Sequence, residues 1–249
     1  MTESARSVAF NPDLYDQIAP GYYDAVYARG KGLQWFWHRH RFAAVADLIP
    51  PTGQSILDMG CGPGTFLGHY AGGYQRGLGI DLARPQIEFA RTKYGSDRLR
   101  FEATDVATVE RGNEFDAIIS IEVIEHLPAE ETASFLRSIF DLLKPGGTVV
   151  LTTPNYRSFW PLIEWVISRK GPVDYLEQHI NHFHPNRLAA ELTAAGFAVR
   201  QMRTFFVAAP FLAALSTRLA EWTYACERRL LPRLGAEIVI GAEKPRPQI

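Results

Sequence analysis

Ser55 to Phe66 reads SILDMGCGPGTF. A run of apolar and β-branched residues, Ser55 to Met59, passes directly into a loop with glycine at positions 60, 62 and 64. Glycines in that place let the backbone approach a ligand at the carboxyl edge of a sheet. The dinucleotide fingerprint G-x-G-x-x-G needs glycine at position 65, where this chain has Thr65. Asp58, just before the loop, would repel a pyrophosphate and favour a ligand carrying an ammonium or sulfonium group. Both features speak against a nicotinamide oxidoreductase and for a cationic or zwitterionic guest.

Outward from this loop, short strand-like runs alternate with helical patterns. RGLGID (Arg76 to Asp81) precedes a helix through PQIEFARTKY (Pro85 to Tyr94), and RLRFEATD (Arg98 to Asp105) precedes FDAIISIE (Phe115 to Glu122). A helix through Phe135 to Leu143 follows, stopped by the turn KPGG, and then the strand TVVLTTP (Thr148 to Pro154). Asn186 to Phe197 reads as a helix closed by Gly196, ahead of two last strands that form an antiparallel edge. Alternation of this kind predicts an α/β fold: right-handed crossovers and a mostly parallel sheet covered on both faces. No linker separates domains, so residues 1–249 are expected to form one domain with a core over 52–155. The additions are 1–51, 156–181 and 211–234.

Asp81 ends the second strand, where a carboxylate accepts hydrogen bonds from both hydroxyls of a ribose, with Leu82 beside it to pack on a base. Asp105 ends the third and can accept from an exocyclic amine such as that of adenine. With Asp58, three acids at successive strand ends read as partners for an amine, a ribose and an adenine.

LDMGCGPG, GIDLARPQIEFAR, FEATDV, FDAIISIEVIEHL and LLKPGGTVVLTTPN fall in one order along the chain. In this it resembles the class I S-adenosylmethionine-dependent methyltransferases over about Tyr15 to Asn155, and more loosely to Ala242. Within them it looks most like the ubiquinone-biosynthesis type of O-methyltransferase. The resemblance implies a Rossmann-like, seven-stranded, mostly parallel sheet with an antiparallel last strand and S-adenosylmethionine as cofactor. Asp58, Gly60, Cys61, Gly62, Gly64, Asp81, Leu82, Asp105, Val106 and Glu122 are its expected contacts, Glu122 beside the methionine end. The N-terminal YDQIAPGYYDAVY resembles the family's lid segment.

Methyl transfer from a sulfonium is a direct displacement, so the protein mainly aligns the acceptor and removes its proton. SIEVIEHL offers Glu122, Glu125 and His126, which share one side if the chain turns helical there. His126 is the expected base, with Glu125 beside it in the catalytic group. Two carboxylates and an imidazole could also join His179, His182 or His184 around a divalent metal. E-x-x-E-H resembles the metal site of small-RNA 2′-O-methyltransferases, but His179 to Phe183 follows the H-x-x-x-F pattern of metal-free relatives. Metal dependence is therefore the alternative and not the favoured reading.

The additions are aromatic and apolar. Trp35, Phe36 and Trp37 stand beside His38, Arg39, His40 and Arg41, and Trp160 and Trp165 precede Arg169 and Lys170. Leu212, Leu215, Leu219, Trp222, Cys226 and Leu230 repeat at helical spacing near Arg218, Arg228, Arg229 and Arg233. Such faces suit a hydrophobic or lipid-linked acceptor and a membrane surface, or else cover the domain itself or a second copy in a homodimer. Lys plus Arg number 26 against 27 Asp plus Glu, a net charge of -1, so nucleic acid is not the favoured partner. With 47% hydrophobic residues the chain is globular, and two cysteines exclude a disulfide framework. No secretory signal is legible, and the longest apolar stretch, Phe205 to Leu215, is shorter than the roughly 20 residues of a membrane span. The expected location is cytoplasmic, extending to the inner membrane face. Besides the O-methyltransferase, the residues leave open a non-catalytic, cofactor-binding partner subunit and a metal-dependent 2′-O-methyltransferase of RNA.

Overall fold

The computed structural model describes residues 18–51, 55–70, 73–105, 109, 115–170 and 175–247. Its centre is a seven-stranded sheet in the order β3-β2-β1-β4-β5-β7-β6. The strands are β1 (Ser55–Met59), β2 (Arg76–Asp81), β3 (Leu99–Ala103), β4 (Phe115–Ile121), β5 (Leu143–Pro154), β6 (Ala198–Phe205) and β7 (Glu237–Glu243). β1 to β5 pair in parallel, and β7 inserts antiparallel between β5 and β6. The expected antiparallel last strand is thus found, paired on both of its sides.

Successive residues of the central strands enter opposite cores. Ile119, Val150 and Val239 pack with Phe36, Phe66, Ile87 and Phe101 on one face. Ile118, Val149, Ile238 and Ile240 pack with Leu136, Ile139, Phe183 and Leu192 on the other. A strand buried on both faces has no polar alternation, which is why FDAIISI and TVVLTT read as continuous apolar runs.

The helices of the core are α3 (Thr65–His69), α4 (Arg84–Tyr94), α5 (Thr132–Leu142) and α8 (Pro185–Ala194). Gly196, expected to close this helix, follows α8 at φ +97°. The KPGG turn is taken up differently: β5 begins at Leu143 and carries it as an irregularity between the Leu143 and Thr148 pairings, with Gly146 at φ +83°.

The additions form a helical cover. α1 (Tyr22–Ala28) and α2 (Leu33–Ala46) precede the sheet, α6 (Trp160–Lys170) and the short α7 (Tyr175–Gln178) follow β5, and α9 (Ala209–Leu212) and α10 (Thr217–Leu230) lie between β6 and β7. α2 is the middle of this cover, since Trp37 meets Trp160 at 5.8 Å between ring centroids and Phe36 meets Tyr224 at 5.9 Å. Its cations were expected to flank an interface together with those aromatics. Instead Phe36, Trp37, His40 and Arg41 all turn inward.

α1 is fastened to the core at two points. The backbone N–H of Gly21 donates to Gln86 Oε1 (3.1 Å), and buried Asp24 accepts from Thr65 Oγ1 (3.3 Å), Lys93 and Tyr94. Pro210, read as a break, occupies the first turn of α9, where a missing N–H costs nothing. Buried Glu227 of α10 then accepts from the N–H groups of Val207, Ala208 and Ala209 at that helix start. No helix among the described residues is long and apolar enough to cross a membrane.

Candidate active site

All parallel strands end on one edge, and the expected site residues gather there. Gly60, Gly62 and Gly64 take φ of +73°, +50° and +73°. A side chain at Gly60 would strike Val123, and one at Gly64 would strike Phe101, whereas one at Gly62 would enter open space. The first and last glycines therefore serve packing, and Gly62 leaves the backbone bare toward the ligand edge. Cys61 between them is buried, and burial raises its thiol pKa, so it is a neutral wall group and not a nucleophile.

Asp81 organises this loop. Its carboxylate accepts from the N–H of Gly62 and of Ala83, both at 2.8 Å. Each oxygen keeps a second lone pair, so holding the loop and binding a diol are compatible. Leu82 is half exposed beside it, as a residue that packs on a base must be. Asp105 is exposed, two residues beyond the end of β3. Val106 falls outside the described residues.

Asp58 is 1% exposed, and its Oδ1 has no hydrogen-bond partner. Burial, with a further contribution from Asp81, pushes its carboxyl up to about 8. A buried carboxylate lacking a donor is costly, and the α-ammonium of S-adenosylmethionine is a donor of the right charge for it. On this observation the residues fit the cofactor.

The segment after β4 is not one helix. Glu122 stands alone at φ +55°, and a 3-10 turn over Ile124–His126 follows. Glu122 receives Thr152 Oγ1 on one oxygen (2.9 Å) and Arg41 Nη2 on the other (3.0 Å). Val123 packs on Gly60, which seats this turn against the glycine loop. Glu125 is fully buried; Thr153 donates to its Oε2 (3.0 Å), while its Oε1 has no partner. Burial and the nearby Glu122 raise its carboxyl well above the usual range.

His126 Nδ1 lies 3.0 Å from the Gln178 carbonyl, and His179 Nδ1 lies 2.5 Å from Glu164 Oε1. A carbonyl and a carboxylate only accept, so both Nδ1 atoms carry a hydrogen, and in neutral His126 the lone pair lies on Nε2. The two rings meet at 4.8 Å. Burial and His179 lower the His126 pKa to about 3, so His126 is neutral at any working pH. Glu125, His126 and His179 each offer a ligand atom within 4.8 Å of the others. The other downstream histidines are occupied elsewhere: His182 stacks on Tyr156, and His184 caps α8 by accepting from Arg187 N. Glu164, which also accepts from Tyr156 and Trp160, and Arg41 escaped the sequence reading because each acts across elements distant in the chain.

A methyltransferase domain family matches residues 35–202. The chain belongs to that family, and its cofactor is S-adenosylmethionine. It is 31% identical over 137 residues to an uncharacterized methyltransferase of Mycobacterium tuberculosis, covering 53% of this chain and 68% of that one. With the ubiquinone biosynthesis O-methyltransferase of Xanthomonas axonopodis pv. citri it shares 30% identity over 170 residues, 65% of this chain and 70% of the relative. Among solved structures, a Haloferax volcanii protein in complex with the Trm112 methyltransferase activator superposes with a TM-score of 0.66 at 20% identity, over 96% of this chain and all of that one. An S-adenosylmethionine-dependent methyltransferase from Mesorhizobium loti gives 0.60 at 21% identity, over 81% of this chain and 96% of that one. At such identities the structures speak for the fold alone.

Below about pH 8 Asp58 must lose a proton to meet the cofactor's ammonium. Affinity for S-adenosylmethionine is expected to fall by up to about tenfold per pH unit below that value and to level off above it. Asp58→Asn, measured in parallel, subtracts the ligand's own titration and binds more weakly throughout. Calorimetry in buffers of different protonation enthalpy reads the released proton; identical pH profiles for the two proteins would remove Asp58 from the ammonium.

Proposed function

We propose that the chain is an S-adenosylmethionine-dependent O-methyltransferase acting on a hydrophobic or lipid-linked acceptor. The observation that carries this reading is the group of Glu125 and His126, in the turn after β4, with His179, just after α7. When bound, the cofactor supplies an electrophilic methyl on a positively charged sulfur. The protein's part is to hold the acceptor in line and to receive its hydroxyl proton. His126, neutral with its Nε2 lone pair, is the base. His179, its Nδ1 held by Glu164, stands edge-on beside that ring. Oxygen as acceptor atom is supported by the relatives' names, which include ubiquinone biosynthesis O-methyltransferases and a Penicillium expansum O-methyltransferase.

The apolar character of the acceptor is supported by the cover helices. Phe159 just before α6, and Leu162 and Trp165 within it, are exposed, with the Arg169 guanidinium over the Trp165 ring at 3.9 Å. On α10 it is Ala220, Tyr224 and Glu227 that turn inward, leaving the Leu219, Trp222 and Leu230 side of the stripe in solvent. A large apolar stripe left exposed marks a binding surface, and α1 and α2 serve in this reading as the lid.

A second reading has one specific support. The ligand atoms of Glu125, His126 and His179 could hold a divalent ion, and imidazoles whose second nitrogen is fixed by a carbonyl or carboxylate are oriented as metal ligands are. Such an ion would lower the acceptor hydroxyl's pKa.

In assays with labelled S-adenosylmethionine, a catechol bearing a prenyl tail is expected to be methylated faster than the same ring without it. His126→Ala should lose on the order of 10²-fold or more in turnover and keep its cofactor affinity; unchanged turnover would sink the base assignment. Cofactor binding is expected to be equal with magnesium, zinc or a chelator. A separate metal-binding heat abolished by Glu125→Ala would instead put the metal reading first.

The exposed helix faces are also expected to carry the protein onto anionic vesicles at low salt, and Arg228→Glu with Arg229→Glu to weaken it. Absence from the vesicle pellet at low salt would remove the membrane from this reading.

A further inference from the structure

Arg41 of α2 is buried where a cover helix needs no cation. Its Nε donates to Glu237 Oε1 (2.5 Å), and its Nη2 donates both to Glu237 Oε2 (2.9 Å) and to Glu122 Oε2 (3.0 Å). Trp37, one turn earlier on α2, donates its Nε1 to the same Glu237 oxygen (2.5 Å). Glu237 is the first residue of β7, and Glu122 directly follows β4. One nitrogen of Arg41 therefore ties the cover, the reversed strand and the acceptor turn together.

Glu122 cannot hold its own position. A residue with a side chain at φ +55° persists only where its surroundings over-determine it. Four bonds do so here: the backbone N–H of Glu122 to the Thr152 carbonyl and to Thr152 Oγ1 (3.2 Å each), Thr152 Oγ1 to Oε1, and Arg41 to Oε2. The first three come from the adjacent strand and fix the backbone and one oxygen. Among the described residues Arg41 is the partner of the second oxygen, and it brings a positive charge beside Glu122 and Glu125. Burial opposes the charge on Arg41, but Glu122 and Glu237 outweigh it and keep the guanidinium protonated.

We propose that Arg41 is a positioning residue for the methyl-transfer site: held by Glu237 and Trp37, it aims the Glu122 carboxylate at the methionine end of the cofactor. The inference rests on the reading of Glu122 as a cofactor contact. It makes α2 a working part of the site and not merely its roof, and it assigns Glu237 and Trp37 the task of holding Arg41.

The test is a double-mutant cycle on the full-length chain, read by S-adenosylmethionine affinity and by melting temperature. Arg41→Met alone would leave Glu237 buried and unpaired, a change that threatens folding; Arg41→Met with Glu237→Gln removes both charges at nearly constant volume. That pair is expected to melt within a few degrees of the wild type and to bind S-adenosylmethionine about tenfold more weakly, with the KM for the acceptor unchanged. Adding Glu122→Gln should then cost little more, because its partner is already gone, and Arg41→Lys should fall between, keeping the charge without the fork. If Glu122→Gln weakens cofactor binding equally in both backgrounds, Arg41 does not act through Glu122 and the proposal falls. If Glu122→Gln in the otherwise wild-type chain binds the cofactor as tightly as before, Glu122 is no cofactor contact, and that reading and the proposal fall together.

Discussion

Strand direction governs this molecule. Because β1, β2, β3 and β4 run the same way, their carboxyl ends, and the acids placed at or just beyond them, share one edge of the sheet. β1 and β4 are neighbours with Asp58 opposite Ile119 and Met59 opposite Ser120, so the glycine loop after one and the Glu122 turn after the other are brought side by side by register alone. The apolar cores on the two faces serve that arrangement, since the register of a strand buried on both sides cannot slip without moving every side chain to the wrong core.

The consequence is electrostatic. Asp81 acts on Asp58, and Glu122 acts on Glu125 and on Glu237; among the described residues the cation hydrogen-bonded to the second group is Arg41. Part of the excess is relieved by protons, as the raised carboxyls of Asp58, Glu125 and Glu237 show. The rest is an affinity for positive charge. S-adenosylmethionine brings an ammonium and a sulfonium, and after methyl transfer the sulfonium becomes a neutral thioether. A negatively biased site thus loses attraction for its ligand at the moment of reaction, which favours exchange of the product for fresh cofactor.

The cofactor half of the site was legible because it is local. A strand, three glycines and a terminal acid lie within ten residues, and their roles follow from backbone geometry and charge. Asp105 was legible as a strand-end acid but not as to where its side chain would lie. The catalytic half was legible only as a list. EVIEH announces acids and an imidazole, but it does not show that Glu122 leaves the helical path or that His126 donates its hydrogen bond to the distant Gln178 carbonyl. Glu164 and Arg41 carried no signal, since a lone acid in an amphipathic helix and an arginine among aromatics are commonplace, and their meaning comes from partners 15 and 196 residues away. The reading of α2 failed for a related reason: Trp and Arg side by side suit a membrane interface, but Arg also follows Trp inward when a buried carboxylate waits there.

That inward turn bears on how the cover relates to catalysis. An N-terminal helix that only excluded water would need an apolar underside and nothing more. α2 has such an underside in Phe36 and Val45, and yet it also delivers a charge whose cost in the interior is justified only by the acids it meets. Glu122 and Glu237 keep the Arg41 guanidinium charged, and Arg41 in turn offsets part of the upward push that burial gives the Glu237 carboxyl. Cover and site therefore stabilise each other's charge state. Displacement of α2 would take from buried Glu237 the cation that faces it and from Glu122 the hydrogen bond on its second oxygen.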